Sequence, residues 1–122
     1  MSATAIRLGF RVGFVVALGL IVWLALSRQP PTAATLFWDK GNHLLAFFVL
    51  ALLVDIGWSG YWWKWLSLGL FGCGIELAQW WSGYRVFELW DICADSIGIA
   101  LYVALQTGFR DNARWAALKQ PP

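Results

Sequence analysis

The stretch from Leu8 to Leu26, LGFRVGFVVALGLIVWLAL, carries a single charge, Arg11, in an otherwise apolar run. At 1.5 Å per residue a helix of this length spans roughly 30 Å, the thickness of a bilayer's hydrocarbon core. With Arg7 ahead of it and Ala33 and Ala34 behind, the run also has the outline of a cleaved signal peptide. Its length and the further apolar sequence that follows favour a signal anchor that stays in place.

Working outward, Pro30 and Pro31 close this segment within the break at residues 27–32, because proline lacks an amide donor and pushes its predecessor out of helical geometry. A second segment is expected at about 41–56, with an apolar heart from Leu44 to Val54; Leu36, Phe37 and Trp38 upstream lie at the interface or extend it. Gly57, Ser59 and Gly60 then make a turn. A third segment is expected at about 62–81 and a fourth at about 89–107, with Gly83 and polar neighbours between them. The composition agrees, since 122 residues that are 60% hydrophobic and 13% charged cannot hide so much apolar surface in a soluble core of this size. The expected fold is therefore all-α, a single domain over residues 1–122 forming a polytopic four-transmembrane-helix bundle. The net charge of +2 is too small, and its residues too dispersed, for nucleic-acid binding. Cys73 and Cys93 both fall inside apolar segments and are expected to stay reduced.

Orientation follows from the basic residues near the helix ends. Arg7, Arg11, Lys64, Arg110, Arg114 and Lys119 fall on one side, and Arg28, Lys40 and Arg85 on the other. That asymmetry places both termini in the cytoplasm of a multi-pass inner-membrane protein. Trp58, Tyr61, Trp62, Trp63 and Trp65 would form the inner aromatic belt; Trp23, Trp38, Trp80, Trp81, Tyr84 and Trp90 would form the outer one. The tail from Phe109 to Lys119 reads equally as a short interfacial helix and as a frayed end.

On this layout Asp39, Lys40, His43, Glu76, Arg85, Glu88, Asp91 and Asp95 all lie towards the outer end, whereas Asp55 and Lys64 sit near the inner loop. Charges at membrane depth are costly and face the bundle interior with partners. Helical spacing gives them shared faces: Gly69, Gly72, Cys73, Glu76 and Gln79 on the third helix, and Asp91, Asp95, Gly98 and Tyr102 on the fourth. Asp39 and His43 share a face of the second helix if it starts early enough. Gly9 and Gly13 add a GxxxG pattern, which by itself signals no more than helix packing. Each residue alone also has an ordinary reading, His43 as an interfacial residue, Asp91 as a first-turn carboxylate stabilised by the helix dipole, Arg85 as a loop charge. Together they are expected to converge on one outward-facing cluster, with Arg85 as counter-ion and His43 as the partner of Glu76.

Read in order, Asp39-Lys40-Gly41-Asn42-His43, Glu76-Leu77-Ala78-Gln79, Arg85, and Asp91-Ile92-Cys93-Ala94-Asp95-Ser96-Ile97-Gly98 resemble the motif set of the VanZ-like family. The match covers Asp39 to Gly98, with Asp95 standing where many members have asparagine. The resemblance implies a small four-helix membrane protein and supplies no established reaction; the family's link to glycopeptide antibiotic resistance stands here as a label.

From these readings comes an expected polar pocket that binds or modifies a head group at the envelope surface. Its partner would be a membrane lipid or a lipid-linked envelope precursor. His43, Glu76 and Asp91 are its acid, base or ligand candidates. Asp39, Lys40, Gln79, Arg85 and Asp95 are its binding candidates, Lys40 and Arg85 for a phosphate or carboxylate. No cofactor is expected, and the spacing of the His, Glu and Asp residues matches no standard metal signature. Two alternatives stay open, a small transporter that would need a homo-oligomer and a scaffold whose polar cluster only locks the bundle.

Overall fold

The computed structural model describes residues 2–26, 39–59, 61–82, 89–108 and 116–117. Four helices account for nearly all of them: α1 (Ala3–Leu26), α2 (Asp39–Gly57), α3 (Trp63–Ser82) and α4 (Leu89–Thr107). No strand occurs among the described residues, so the chain is all-α there.

Two helices begin before their apolar runs do. Ser2 caps α1, its hydroxyl accepting from the Ala5 amide at 3.1 Å and its carbonyl from the Ile6 amide at 3.1 Å. A short polar side chain that satisfies otherwise unpaired amides is what starts a helix, so α1 begins at Ala3 rather than Leu8. α2 likewise takes in Asp39 and Lys40, which places Asp39 one turn before His43. At its other end, the Trp58 amide donates to Val54 O at 2.9 Å and the Ser59 hydroxyl faces the carbonyls of Asp55 and Ile56 at 2.8 and 3.2 Å. Trp58 and Ser59 of the turn thus donate to carbonyls that α2 leaves open.

α2 is the central element, packing most extensively against α4 and next against α1. The core is built from Phe47, Leu50, Ala51 and Val54 of α2, Leu68 of α3 and Tyr102 of α4. At the crossing of α2 and α4 the backbones nearly touch: a Cβ on Gly98 would lie 2.3 Å from Leu44 O. The stripe foreseen on the fourth helix is the face that is buried, comprising Asp91, Asp95, Gly98 and Tyr102 together with Ala94. The GxxxG pattern behaves differently. Gly9 has open space where a side chain would be, and Gly13 lies only in ordinary contact range of Leu53, 3.5 Å from its Cδ2. The close approach of α1 to α2 is instead at Gly57, where a Cβ would meet Arg11 Cγ at 3.1 Å.

Beside the apolar core, the described residues bury several polar and charged side chains and leave many large apolar ones exposed. Asp55, Ser59, Lys64, Glu76, Gln79, Asp91 and Asp95 are buried, whereas Leu8, Val15, Val16, Leu70, Trp80, Trp81 and Trp90 are more than half exposed. No residue of α1 is buried. α1 and α4 are each long and apolar enough to cross a membrane, and α2 carries a shorter apolar stretch, Gly41–Gly57.

Candidate functional site

His43, in the second turn of α2, stands between two carboxylates of α4. Its Nδ1 hydrogen-bonds to Asp95 Oδ1 at 2.9 Å, and its Nε2 lies 3.8 Å from Asp91 Oδ2. Four residues separate Asp91 from Asp95, so one helix face presents both to the same ring. All three side chains are largely removed from solvent, at 14% exposure for His43, 3% for Asp91 and 7% for Asp95. Asp91 is also in the first turn of α4, where the helix dipole favours a negative charge.

α3 shapes the wall of this site. A Cβ on Gly72 would lie 3.0 Å from Asp95 Oδ2 and 3.2 Å from Phe47 Cζ, so glycine is what leaves room for the Asp95 carboxylate. One turn further along the same face comes Glu76, 2% exposed. Gln79 follows, also buried, with its Nε2 donating to Ala25 O at 3.0 Å. That bond closes the last turn of α1 and ties it to α3.

The sequence grouped His43 with Glu76, Asp91 and Asp95; the structure places its ring against Asp95 and Asp91. A carboxylate on Nδ1 fixes the orientation of the ring and turns Nε2 towards Asp91. The same division of labour, an orienting carboxylate behind a base, recurs in acid–base sites. Arg85, the expected counter-ion, lies outside the described residues, as do Glu88 and the side chains of Asp39 and Lys40. Among the described residues no group of three or more His, Cys, Asp or Glu is arranged to hold a metal ion. Cys73 and Cys93 are both free thiols, the second exposed on the outside of α4.

A second buried cluster, which the sequence left as two loop charges, lies at the opposite end. Asp55 is fully buried and receives Lys64 Nζ on Oδ1 at 2.6 Å and the Tyr102 hydroxyl on Oδ2 at 2.5 Å. Lys64 also lies over the Trp65 ring, 5.1 Å from its centroid. Beside it Arg11 Nε donates to Gly57 O at 2.6 Å while its guanidinium covers Trp58 at 5.4 Å. The signal for this cluster was present, because Tyr102 belongs to the stripe that carries Asp91 and Asp95. What spacing within one helix does not contain is the partner across the bundle.

No protein-family model matches this chain, and neither a curated protein nor a solved structure does.

Proposed function

We propose that the chain is a four-span membrane protein of VanZ-like type whose His43 site, near the outer surface, binds or modifies the head group of a membrane lipid or lipid-linked envelope precursor. The exposed leucine, valine and tryptophan side chains, together with two helices long and apolar enough to cross a membrane, support the membrane part of this reading. Buried polar residues within such a shell are what a bundle in lipid keeps to its interior. The observation that carries the site is His43 held between Asp95 and Asp91, a base with its orienting carboxylate inside a wall of small and apolar residues.

In this reading Asp95 is the positioning residue, His43 Nε2 takes or gives the proton, and Asp91 stabilises the charged ring. Glu76 and Gln79 extend the polar face of α3. A second reading, a scaffold locked by polar contacts, draws support from Gln79, whose amide spans α1 and α3.

Native mass spectrometry of the protein extracted in mild detergent separates the two. His43→Ala and Asp95→Asn are expected to elute like the parent in gel filtration yet to lose a retained lipid species by about tenfold or more, the scale of a charge-assisted hydrogen bond. Equal retention in all three proteins, or its absence from the parent, would leave the scaffold.

A further inference from the structure

We propose that Asp55, Lys64 and Tyr102 form a latch that seals the bundle at the end opposite His43, so that the His43 site is wetted from one side only. The proposal rests on the membrane-embedded reading given above and assigns a distinct task to the other end of the molecule.

Position is the first argument. Asp55 and His43 are twelve residues apart on α2, roughly 18 Å at 1.5 Å per residue, so the two polar clusters stand at opposite ends of one helix. Between them Phe47, Leu50, Ala51 and Val54 pack against Leu68, a plug that offers water no partner. Below the plug three helices meet in one set of bonds, with α2 giving Asp55, α3 giving Lys64 and α4 giving Tyr102. Arg11 joins α1 to the same end through Gly57 O, and the buried Ser59 hydroxyl covers the last carbonyls of α2.

Local preference runs against this pair. Asp55 is a negative charge in the last turn of α2 and Lys64 a positive charge in the first turn of α3, each at the helix end where the macrodipole disfavours it. An apolar pair of similar volume would hold the helices at least as well. A buried ion pair differs from such a pair in being two-sided: closed when both partners are present, strongly unfavourable when one is withdrawn. That property suits a latch.

The test uses the full chain in lipid nanodiscs, where both faces meet the solvent, in a Cys73→Ala, Cys93→Ala background. Ala51→Cys puts a thiol in the plug one turn above Asp55, and Tyr61→Cys puts a reference thiol in the exposed turn. A charged, membrane-impermeant thiol reagent should modify the reference freely and the Ala51→Cys thiol hardly at all. Adding Lys64→Met should raise the rate at Ala51→Cys on the order of a hundredfold, because it withdraws the Lys64 ammonium from a buried carboxylate. Tyr102→Phe, a milder change, should give an intermediate rate. Asp55→Leu together with Lys64→Met should restore protection, and it keeps the test open if the single variant does not fold. A plug thiol that reacts like the reference in the parent, or rates unchanged by Lys64→Met and Tyr102→Phe, overturns the latch. A chain recovered in the aqueous rather than the membrane fraction overturns the membrane reading instead, whatever the labelling shows.

Discussion

At position 98 a methyl group would arrive 2.3 Å from Leu44 O and 3.1 Å from the Phe48 nitrogen, both of them backbone atoms of α2. Neither can step aside as a side chain does, so Gly98→Ala must push α4 away from α2. We expect it to lower the thermal midpoint in detergent, at a cost of about 1–3 kcal/mol or more for overpacking; an unchanged midpoint would contradict the crossing. Gly72→Ala is a contrasting case. Its new methyl meets the ends of two side chains, Asp95 Oδ2 at 3.0 Å and Phe47 Cζ at 3.2 Å, which can give way by small movements. The fold should survive with a loss of about 1 kcal/mol or less, while Asp95 shifts away from His43. Lipid retention in native mass spectrometry should therefore fall in Gly72→Ala far more than its midpoint does. At this scale the sequence was legible along each helix and silent between them. The spacing of Asp91, Asp95, Gly98 and Tyr102 specifies which face turns inward, since 3.6-residue periodicity is a local property. That Asp55 meets Tyr102, 47 positions away, depends on how helices cross, which no periodicity records.

Between residues and the whole stand the helices, and α1 is the one whose attachment needs explaining. None of its residues is fully buried, although Phe14, Ala17, Leu18 and Ile21 pack against the core with one side. Particular contacts add to this packing. Near its start Arg11 donates to Gly57 O, and Phe14 sets its ring edge against Trp58 with centroids 5.3 Å apart. At its far end Ala25 O accepts from Gln79. The Arg11 bond adds a positive charge at the end of α2 where the dipole favours one. Arg11→Ala should therefore loosen α1 at a cost of about 1.5–3 kcal/mol, the range for a hydrogen bond to a charged donor. Arg11→Lys should recover only part of this, because an ammonium lacks the planar fork that both donates to the carbonyl and stacks on Trp58. Proteolysis of α1 in detergent, compared across the parent and both variants, reads the effect; equal rates would mean that Arg11 does not anchor the helix. The same helix shows why element boundaries were only partly legible. Hydropathy marks where a helix is apolar, as at Leu8, whereas the helix starts where its amides find a cap, at Ser2.

For the whole molecule the question is which way it faces. The latch and the His43 site lie at opposite ends of α2, so fixing the orientation of one fixes the other. Arg7, Arg11 and Lys64 all belong to the latch end: Arg11 binds the end of α2, Lys64 closes on Asp55, and Arg7 lies one turn before Arg11 on α1. Of the basic residues in described helices only Lys40 lies at the other end. In the proposed membrane reading, retention of positive charge on the cytoplasmic side would put the latch inside and His43 outside. All three basic residues of the latch end are engaged in bonds within the chain, Arg7 donating to Ala117 O at 3.4 Å, so the fold itself also fixes where they stand. A reporter enzyme active only outside the cell membrane should be silent when fused after Lys119 and active when fused after Arg85, between α3 and α4. The opposite pattern would place His43 at the cytoplasmic face and remove the envelope substrate, because a head group on the outer leaflet could not reach the ring. The latch would survive that result with its direction reversed, since its evidence is the burial of Asp55 and its two partners and not the side on which they lie.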